Sequence, residues 1–477
     1  MSRPVISLIA KHTFSMKNQT TQESMAFLQP PVLKQMLYEK ISTQYLTIIF
    51  CFTSLVFVLK LIRRNKQNLP PSPPKLPIIG NLHQLVQVAK EIFKNHDVVF
   101  SNKPPNTAAN IILYGCTDVA LAPYGEEWRQ RRKICVVELL SMKRMQSFQS
   151  IREEVAEIVN TLKEACASKE SSIVNLSEML IAASNNIVSR CVLGQKYDTP
   201  VGSGSFGELG RKMMKQLAAF SVGDFFPSLG WIDILTGQIS EFKATFCALD
   251  SFFDQVIADH KRMKKSEDGQ SDKKDFVEIL LQVQDGAKYD FPLTNDNIKA
   301  ILMDMFAGGG DTSSTLLEWT FAEKVVGYKS KVDENDLNQM NYMKCVVKES
   351  MRLHPPAPLL IPRETLSDVR VKGFDIPSKT RVSVNAWTIQ RDPEFWNKPD
   401  EFIPERFEEQ PEIDLQYIPF GAGRRGCPGI SFGLGSTELL LANLLYMQDI
   451  DMSEIHGLTV SKKVPLHLEP TLHSFHE

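Results

Sequence analysis

The stretch that most constrains this chain is Phe420-Gly421-Ala422-Gly423-Arg424-Arg425-Gly426-Cys427-Pro428-Gly429. Its glycines permit tight turns that a side chain would block. Pro428, with a fixed φ and no N–H, suits the first turn of a helix. Cys427 is therefore expected at a helix N-terminus, where the dipole and unpaired N–H groups favour a thiolate. Arg424 and Arg425 beside it can meet carboxylates. Taken alone, the loop leaves more than one reading open. A lone loop cysteine is commonly structural, and a nucleophilic one would call for a histidine base that the neighbourhood does not offer.

The rest of the chain narrows the field. Its 477 residues are 43% apolar, enough for a large core, and a net charge of −2 gives no reason to expect a nucleic-acid partner. Cys51, Cys116, Cys135, Cys166, Cys191, Cys247, Cys345 and Cys427 form no C-x-x-C pair and no zinc spacing, so they read as reduced thiols. No internal repeat is present.

Residues 1–44 are polar and unpatterned and form an N-terminal extension, in which Asn18-Gln19-Thr20 is a sequon and Met25 an alternative start. Residues 45–62, Tyr45 to Ile62, carry one charge, Lys60, and predict a single transmembrane anchor near the short end of the ~17–25 residues needed to span. Arg63, Arg64 and Lys66 follow, which puts the C-terminal side in the cytoplasm. A buried core helix is the alternative; a cleaved signal is disfavoured because no small-residue cleavage site follows. Residues 63–85 form a basic, proline-rich hinge, with Leu69 to Pro77 extended and stiff.

From residue 86 to 477 the chain reads as mainly α with small β-sheets. Helices are predicted over Gly125 to Leu140, Ile239 to His260, Asn295 to Val326, Asn341 to Leu353 and Pro428 to Leu445. Lys261 to Lys274 is charged and reads as a solvent loop, and Val369 to Val371 and Arg381 to Val384 read as short strands.

At this point the sequence resembles the cytochrome P450 superfamily. Phe420, Gly423, Arg425, Cys427 and Gly429 match its motif F-x-x-G-x-R-x-C-x-G completely. Glu349-Ser350-Met351-Arg352 matches E-x-x-R, and Phe402 to Phe407 resembles the P-E-R-F element that carries Arg406. Ala307-Gly308-Gly309-Gly310-Asp311-Thr312 resembles the oxygen-binding motif of the long distal helix, and Trp128 and Arg132 match W-x-x-x-R. Three glycines inside a helix cost about 1 kcal/mol each relative to alanine, which points to a bend.

The resemblance implies the cytochrome P450 fold and a haem b (Fe-protoporphyrin IX) cofactor with Cys427 as axial iron ligand. Trp128, Arg132, Arg363 and Arg425 would meet the haem propionates, and Phe420 and Gly429 would complete the ligand loop. Glu349, Arg352 and Arg406 would form a buried structural network. Asp311 and Thr312 would deliver protons during catalysis, with O2 as oxidant and NADPH electrons arriving through NADPH–cytochrome P450 reductase. Arg129, Arg131 and Lys133 would face that donor or simply meet solvent. The expected location is the endoplasmic reticulum membrane, with a cytoplasmic catalytic domain.

Anchor, hinge and A-G-G-G-D-T together are similar to plant microsomal A-type members. The segments that would meet substrate by this resemblance are largely apolar (Phe220, Phe225, Phe226, Leu359, Leu360, Ile361), which suits a small aromatic or terpenoid substrate without choosing between them, and long similar stretches such as Ser177 to Pro200 and Gly230 to Asp259 narrow the resemblance. Phenylacetaldoxime, converted to mandelonitrile in cyanogenic glycoside biosynthesis, is the leading case and a terpenoid the alternative. Thr107 to Val119, Phe220 to Phe226, Met303 to Thr312, Ala357 to Ile361 and Gly457 to Val460 would contact substrate, with Phe220, Phe226, Ala307, Leu359 and Leu360 foremost.

The chain also departs from the family pattern. Leu85 runs directly into Val86, Glu323 into Lys324 and Tyr446 into Met447. The first body helix with the opening strands of the main sheet, the helix after the oxygen-binding helix, and a loop near the C-terminus are thus expected to be absent, exposing sheet edges and apolar surface. Gly310 stands where the family often has a bulkier residue. Besides a monooxygenase, the sequence admits a thiolate-haem dehydratase or isomerase, and a truncated, non-catalytic chain.

Overall fold

The computed structural model describes residues 86–468 apart from 168–173, 197–205, 267–273, 287–288, 290, 323–340, 410–413, 445–453, 457–458 and 463–466. The proposed anchor and hinge, residues 45–62 and 63–85, and the junctions after Leu85, Glu323 and Tyr446 involve residues outside the described ones.

The principal helices are α1 (Val86–Lys90), α2 (Thr107–Ile112), α3 (Glu126–Ile134), α4 (Gln149–Ala167), α5 (Leu176–Leu193), α6 (Phe206–Leu217), α7 (Gln238–Ser266), α8 (Phe276–Asp285), α9 (Asn295–Gly309), α10 (Asp311–Ala322), α11 (Asn341–Leu353) and α12 (Ile430–Leu444). Side-chain caps fix several starts. Asn106 accepts from Ala109 N, Asn175 from Glu178 N and Asp275 from Glu278 N, and Thr294 and Asn297 form a reciprocal capping box.

Three predicted helices differ from expectation. The charged run after His260 does not begin a loop there: α7 continues to Ser266, because Lys, Arg and Met are good helix formers. The segment expected as one helix from Asn295 is two, α9 and α10, joined at Gly310. The predicted helix over Gly125 to Leu140 widens into a π-turn over Cys135–Leu139, which puts both of those residues in the core.

The larger core gathers α5 against α4, α9 and α10, with Leu180, Ile187, Ile298, Ile301 and Leu317 buried. The approach is close. A Cβ on Gly309 would lie 2.8 Å from Val188 Cγ2, so the bend in the distal helix is also where α5 comes nearest. A second core joins Ile92, Phe93 and Phe100 to Val371, Val384, Ile389 and Ile418.

Strands are few. Among the described residues β1 (Val174–Asn175) pairs with β8 (His467–Leu468), β2 (Arg363–Glu364) with β5 (Arg381–Val382), β3 (Val369–Val371) with β4 (Phe374–Ile376), and β6 (Glu454–His456) with β7 (Val460–Lys462), all antiparallel. The fold is mainly α with small sheets.

A buried ionic network underlies the C-terminal half. Glu349 and Arg352 sit on one face of α11 with no exposed surface. Arg352 donates to Glu349 through Nε at 2.7 Å and Nη2 at 2.8 Å, and through its remaining N–H groups to the carbonyls of Gln390, Pro399 and Glu401. Arg406 Nε reaches Glu349 Oε1 at 3.1 Å, and Ile403 N donates to the same oxygen at 2.8 Å. Gln390, also fully buried, donates to the carbonyls of Met351 and Arg352 and accepts from Ile418 N. Its amide thus ties α11 to the segment leading into the cysteine loop.

Two outcomes follow from this packing. Glu349→Ala leaves two guanidinium groups facing no carboxylate and is expected to cost about 3–5 kcal/mol in denaturant unfolding. The second concerns the clasp between α7 and α8, where His260 Nε2 meets Asp275 Oδ2 at 2.8 Å and Nδ1 meets Val256 O at 2.8 Å. Burial lowers the His260 pKa, but the bond to Asp275 and its charge outweigh it, and the net shift is upward from 6.5. The clasp therefore stabilises fully below about 6.5 and fades as pH rises through the raised value. Thermal unfolding of the parent minus His260→Gln, across that range, is expected to show this difference shrinking with pH.

Candidate active site

The cysteine loop is shaped by its glycines and by one long-range main-chain bond. Gly421 and Gly423 adopt φ of 67° and 66°, which a side chain would resist. Cys427 N donates to Phe420 O at 2.9 Å and Gly426 N to Gly423 O at 3.0 Å, closing the loop on itself. Gly433 N donates to Gly429 O at 2.8 Å, so α12 begins just after the cysteine, and Gly429 N points at Cys427 Sγ from 3.4 Å.

Cys427 has exposed surface, yet its surroundings are dense enough to matter. Burial pushes its thiol pKa up, against the pull of Gly429 N–H and Arg132. The loop alone therefore does not make the thiolate expected from the helix dipole; a coordinated metal cation would.

Cations crowd around this loop. Arg132 Nη2 donates to Gly426 O at 2.6 Å, and Arg363 Nη2 to Ala422 O at 2.6 Å. Arg425 donates to the carbonyls of Ser101, Val119 and Ala122, with its guanidinium 4.0 Å from the centre of the Trp128 ring. Trp128 is buried, and its Nε1 is already used, donating to Val119 O at 2.9 Å. A buried N–H must find an acceptor, and within the protein alone that acceptor is Val119 O.

Lys103 belongs to the same group. It is buried, donates to the carbonyls of Ile361 and Pro362, and is held well below the usual lysine range by burial and by Arg425 and Arg363. Burial, with Arg363 and Arg132 opposing Asp118, brings Arg425 down to about 9. Asp97, which pairs with Arg363 at 3.5 Å and Arg424 at 3.2 Å, is a nearby counter-charge. Mutually repelling cations beside an accessible soft sulfur are the donor set that an iron porphyrin with two carboxylates requires, so the residues present fit haem.

Asp311 and Thr312 open α10 directly after the Gly310 joint. Thr312 Oγ donates to Gly308 O at 2.6 Å, taking up a carbonyl at the helix break. Burial raises the Asp311 carboxyl above its ordinary value, opposed by Arg211 of α6. Ala307 is partly buried against the larger core.

The named substrate residues are not gathered in one place. Phe220, Phe226 and Leu359 are 60%, 56% and 46% exposed, and Phe220 lines a surface cleft of about 560 Å³ together with Val222, Ile232 and Glu241. Leu360, at φ 50°, packs on the second core beside Gly421. A cleft of about 1000 Å³ is lined by Lys90, Lys94, Arg370 and Asp414 among others and takes none of the named residues into its wall. Arg131 also differs from its reading as a donor-facing cation: it is buried, with Glu127 at 3.3 Å and the Phe291 ring beneath it. Arg129 and Lys133 are exposed.

Sequence reading missed Lys103, Gln390 and a pair of acids. Asp304 Oδ2, on α9, accepts from Val119 N at 2.6 Å and Ala120 N at 3.2 Å, and Asp118 Oδ2 accepts from Leu121 N at 2.6 Å. Burial and mutual proximity raise the Asp304 carboxyl well above its ordinary value. Nothing in local spacing marks Lys103, Gln390 or Asp304, since each acts on chain distant in sequence.

Comparison with known proteins places this geometry. The cytochrome P450 family model matches residues 83–456. The chain is 46% identical to phenylacetaldehyde oxime monooxygenase from Prunus mume, covering 86% of this chain and 90% of that one. It is 44% identical to cytochrome P450 71A1 from Persea americana, over 83% and 86%, and 41% identical to desmethylyatein synthase from Sinopodophyllum hexandrum, over 90% and 98%. The structure of a zebra fish cytochrome P450 with progesterone shares the fold, with a TM-score of 0.64 at 23% identity, over 80% of this chain and 90% of that one. Sequence, cysteine loop and fold agree: this chain belongs to the cytochrome P450 family.

Proposed function

We propose that the chain is a haem-thiolate monooxygenase that inserts one atom of O2 into a small aromatic metabolite, with phenylacetaldoxime the leading substrate and mandelonitrile its product. The observation that carries the reaction class is the accessible Cys427 sulfur, held by Gly429 N–H and ringed by Arg132, Arg363, Arg425 and Lys103. The substrate rests on the 46% identity to the Prunus mume enzyme.

Haem b, when bound, supplies dioxygen activation and oxygen-atom transfer, on electrons from NADPH through NADPH–cytochrome P450 reductase. The protein's part is then specific. The Cys427 sulfur would hold the iron and donate charge to it. Arg132, Arg363, Arg425 and Lys103 would take the cofactor's carboxylates in place of main-chain carbonyls, a stronger charge-assisted contact. Trp128 keeps Arg425 in place by stacking. Asp311, its carboxyl raised by burial, holds a proton closer to neutral pH than a surface aspartate does. Thr312 Oγ would be free to donate its hydrogen bond into the site once that hydroxyl leaves Gly308 O.

The domain scheme belongs to the same proposal: extension 1–44, membrane anchor 45–62, hinge 63–85 and catalytic body 86–477, on the cytoplasmic side of the endoplasmic reticulum membrane. Among the described residues no helix is long and apolar enough to cross a membrane. Support for the anchor is its sequence and basic flank, and support for membrane contact by the body is the exposed group Phe220, Phe225, Phe226, Trp231, Ile234 and Leu235.

One observation favours a second reading, a shortened and non-catalytic chain. The alignment to the Prunus mume enzyme runs over 479 residues although it uses only 86% of this 477-residue chain, as it does where a relative carries segments with no counterpart. A terpenoid hydroxylase or a thiolate-haem dehydratase has no such particular support.

Expression with reductase decides among these. The reduced, carbon monoxide-bound protein is expected to show the thiolate-haem band, and Cys427→Ser to lose it; absence of the band in the parent chain would establish the non-catalytic reading. With NADPH and O2, phenylacetaldoxime is expected to give mandelonitrile, whereas turnover of terpenes alone would sink the substrate assignment. Thr312→Ala is expected to lower product per NADPH by about 10²-fold, with peroxide released instead. Unchanged coupling would remove Thr312 from the proton route.

A further inference from the structure

Buried side-chain amides find partners in folded proteins, and Gln216 has none. It is 6% exposed, near the end of α6, yet among the described residues neither its Oε1 nor its Nε2 meets a hydrogen-bond partner. A buried polar atom in this condition has given up water and gained nothing in return. A primary amide with both ends open works against the fold, and an apolar side chain of the same length would suit the position better. Such a group points to a partner outside the chain.

The packing of α6 shows where that partner stands. Met213, one turn before Gln216 and on the same face, lies in the larger core. Leu209, Leu217 and Ala219 pack against that core, as do Phe306 and Ala307 of α9. Arg211 of α6 is near enough to Asp311 to act on its charge. The helix rests on α2, α7 and α9, and the side-chain amide of Asn106, the residue that caps α2, donates to Leu217 O at 3.4 Å. The inward face at the end of α6 thus borders the part of α9 that carries Ala307 and runs into the Gly310 joint.

The chemistry of the partner follows from the amide. It presents one acceptor and one donor side by side. A hydrocarbon satisfies neither end, and an anion satisfies only the donor. An uncharged group with a donor and an acceptor on adjacent atoms satisfies both together. An oxime is such a group: its hydroxyl donates, and the nitrogen next to it accepts.

We infer that Gln216 is a specificity-determining residue that reads the oxime of the substrate, its Oε1 accepting from the oxime hydroxyl and its Nε2 donating to the oxime nitrogen. It binds and orients the substrate and takes no part in the oxygen chemistry. The inference rests on the aldoxime reading given above and adds the residue that would enforce it. An otherwise similar apolar molecule would leave the buried amide unpaired, which is how a polar pocket group rejects an analogue lacking its counterpart.

The test compares two ligands on two proteins by titration calorimetry of the haem-loaded chain. The ligands are phenylacetaldoxime and its O-methyl ether, which lacks the donated hydrogen. The proteins are the parent and Gln216→Met, whose unbranched side chain keeps the length and removes both polar atoms. The parent is expected to bind the aldoxime about 10- to 100-fold more tightly than the ether. In Gln216→Met that preference is expected to vanish through loss of aldoxime affinity, with ether affinity little changed. Equal affinities in the parent overturn the inference, and so does a preference that survives in the variant. Equal loss of both ligands in Gln216→Met marks a structural role and overturns it as well. If the parent binds and converts the aldoxime while the variant keeps its selectivity, only the assignment of Gln216 fails. If the parent binds neither ligand, the aldoxime reading itself fails and this inference with it.

Discussion

A guanidinium with no exposed surface must satisfy every donor with protein atoms, and Arg352 does so completely. Its five N–H groups go to both oxygens of Glu349 and to the carbonyls of Gln390, Pro399 and Glu401. Those carbonyls lie about 40 to 50 residues further along the chain, so one side chain on α11 gathers the segment that precedes the cysteine loop. Gln390 then passes the constraint to Ile418, two residues before Phe420, whose carbonyl receives Cys427 N. The position of the sulfur therefore depends on a charge pair that never meets the cofactor. Such a pair contributes little net stability for its desolvation, but it permits only one arrangement of the chain around it.

Above that platform the protein keeps like charges close. Arg425 and Lys103 both have depressed pKa values because burial and neighbouring cations oppose their protonation. They are satisfied by main-chain carbonyls, which are neutral acceptors and easily improved upon by a carboxylate. The site is thus organised by polar contacts that hold the cations in place and leave them with more to gain from an anion.

The distal side follows a different rule. Glycines at 308–310 weaken the helix, α5 presses on Gly309 through Val188, and the joint separates α9 from α10. Thr312 caps the freed carbonyl of Gly308, so the residue read as a proton donor is also the one that stabilises the break. Upstream on α9, Asp304 holds Val119 N and Ala120 N, and Lys299 bonds the same Asp250 oxygen of α7 that holds the Tyr114 hydroxyl.

Much of this was legible in the residues. The cysteine loop, the Glu349–Arg352–Arg406 set, the bend at the glycines and the helix Asn341 to Leu353 were all readable because each is local or belongs to a specific motif. Less legible were the end of α7 and the surroundings of Trp128, Arg131 and the exposed Phe220 and Phe226. Side-chain type alone set Arg131 toward a partner or solvent. Burial decided otherwise, because a buried cation takes a carboxylate, Glu127 for Arg131.

By itself the sequence determined the helix-rich class, the family and the thiol, since periodicity, glycine placement and motif spacing act over a few residues. The tertiary structure alone decided that Lys103 joins the cation group, that Gln390 carries the loop, and that Tyr114 is tied to Asp250 and Lys299. Those contacts join residues far apart in the chain, and their strength comes from exclusion of water, a property of the packed interior that no run of residues possesses before it folds.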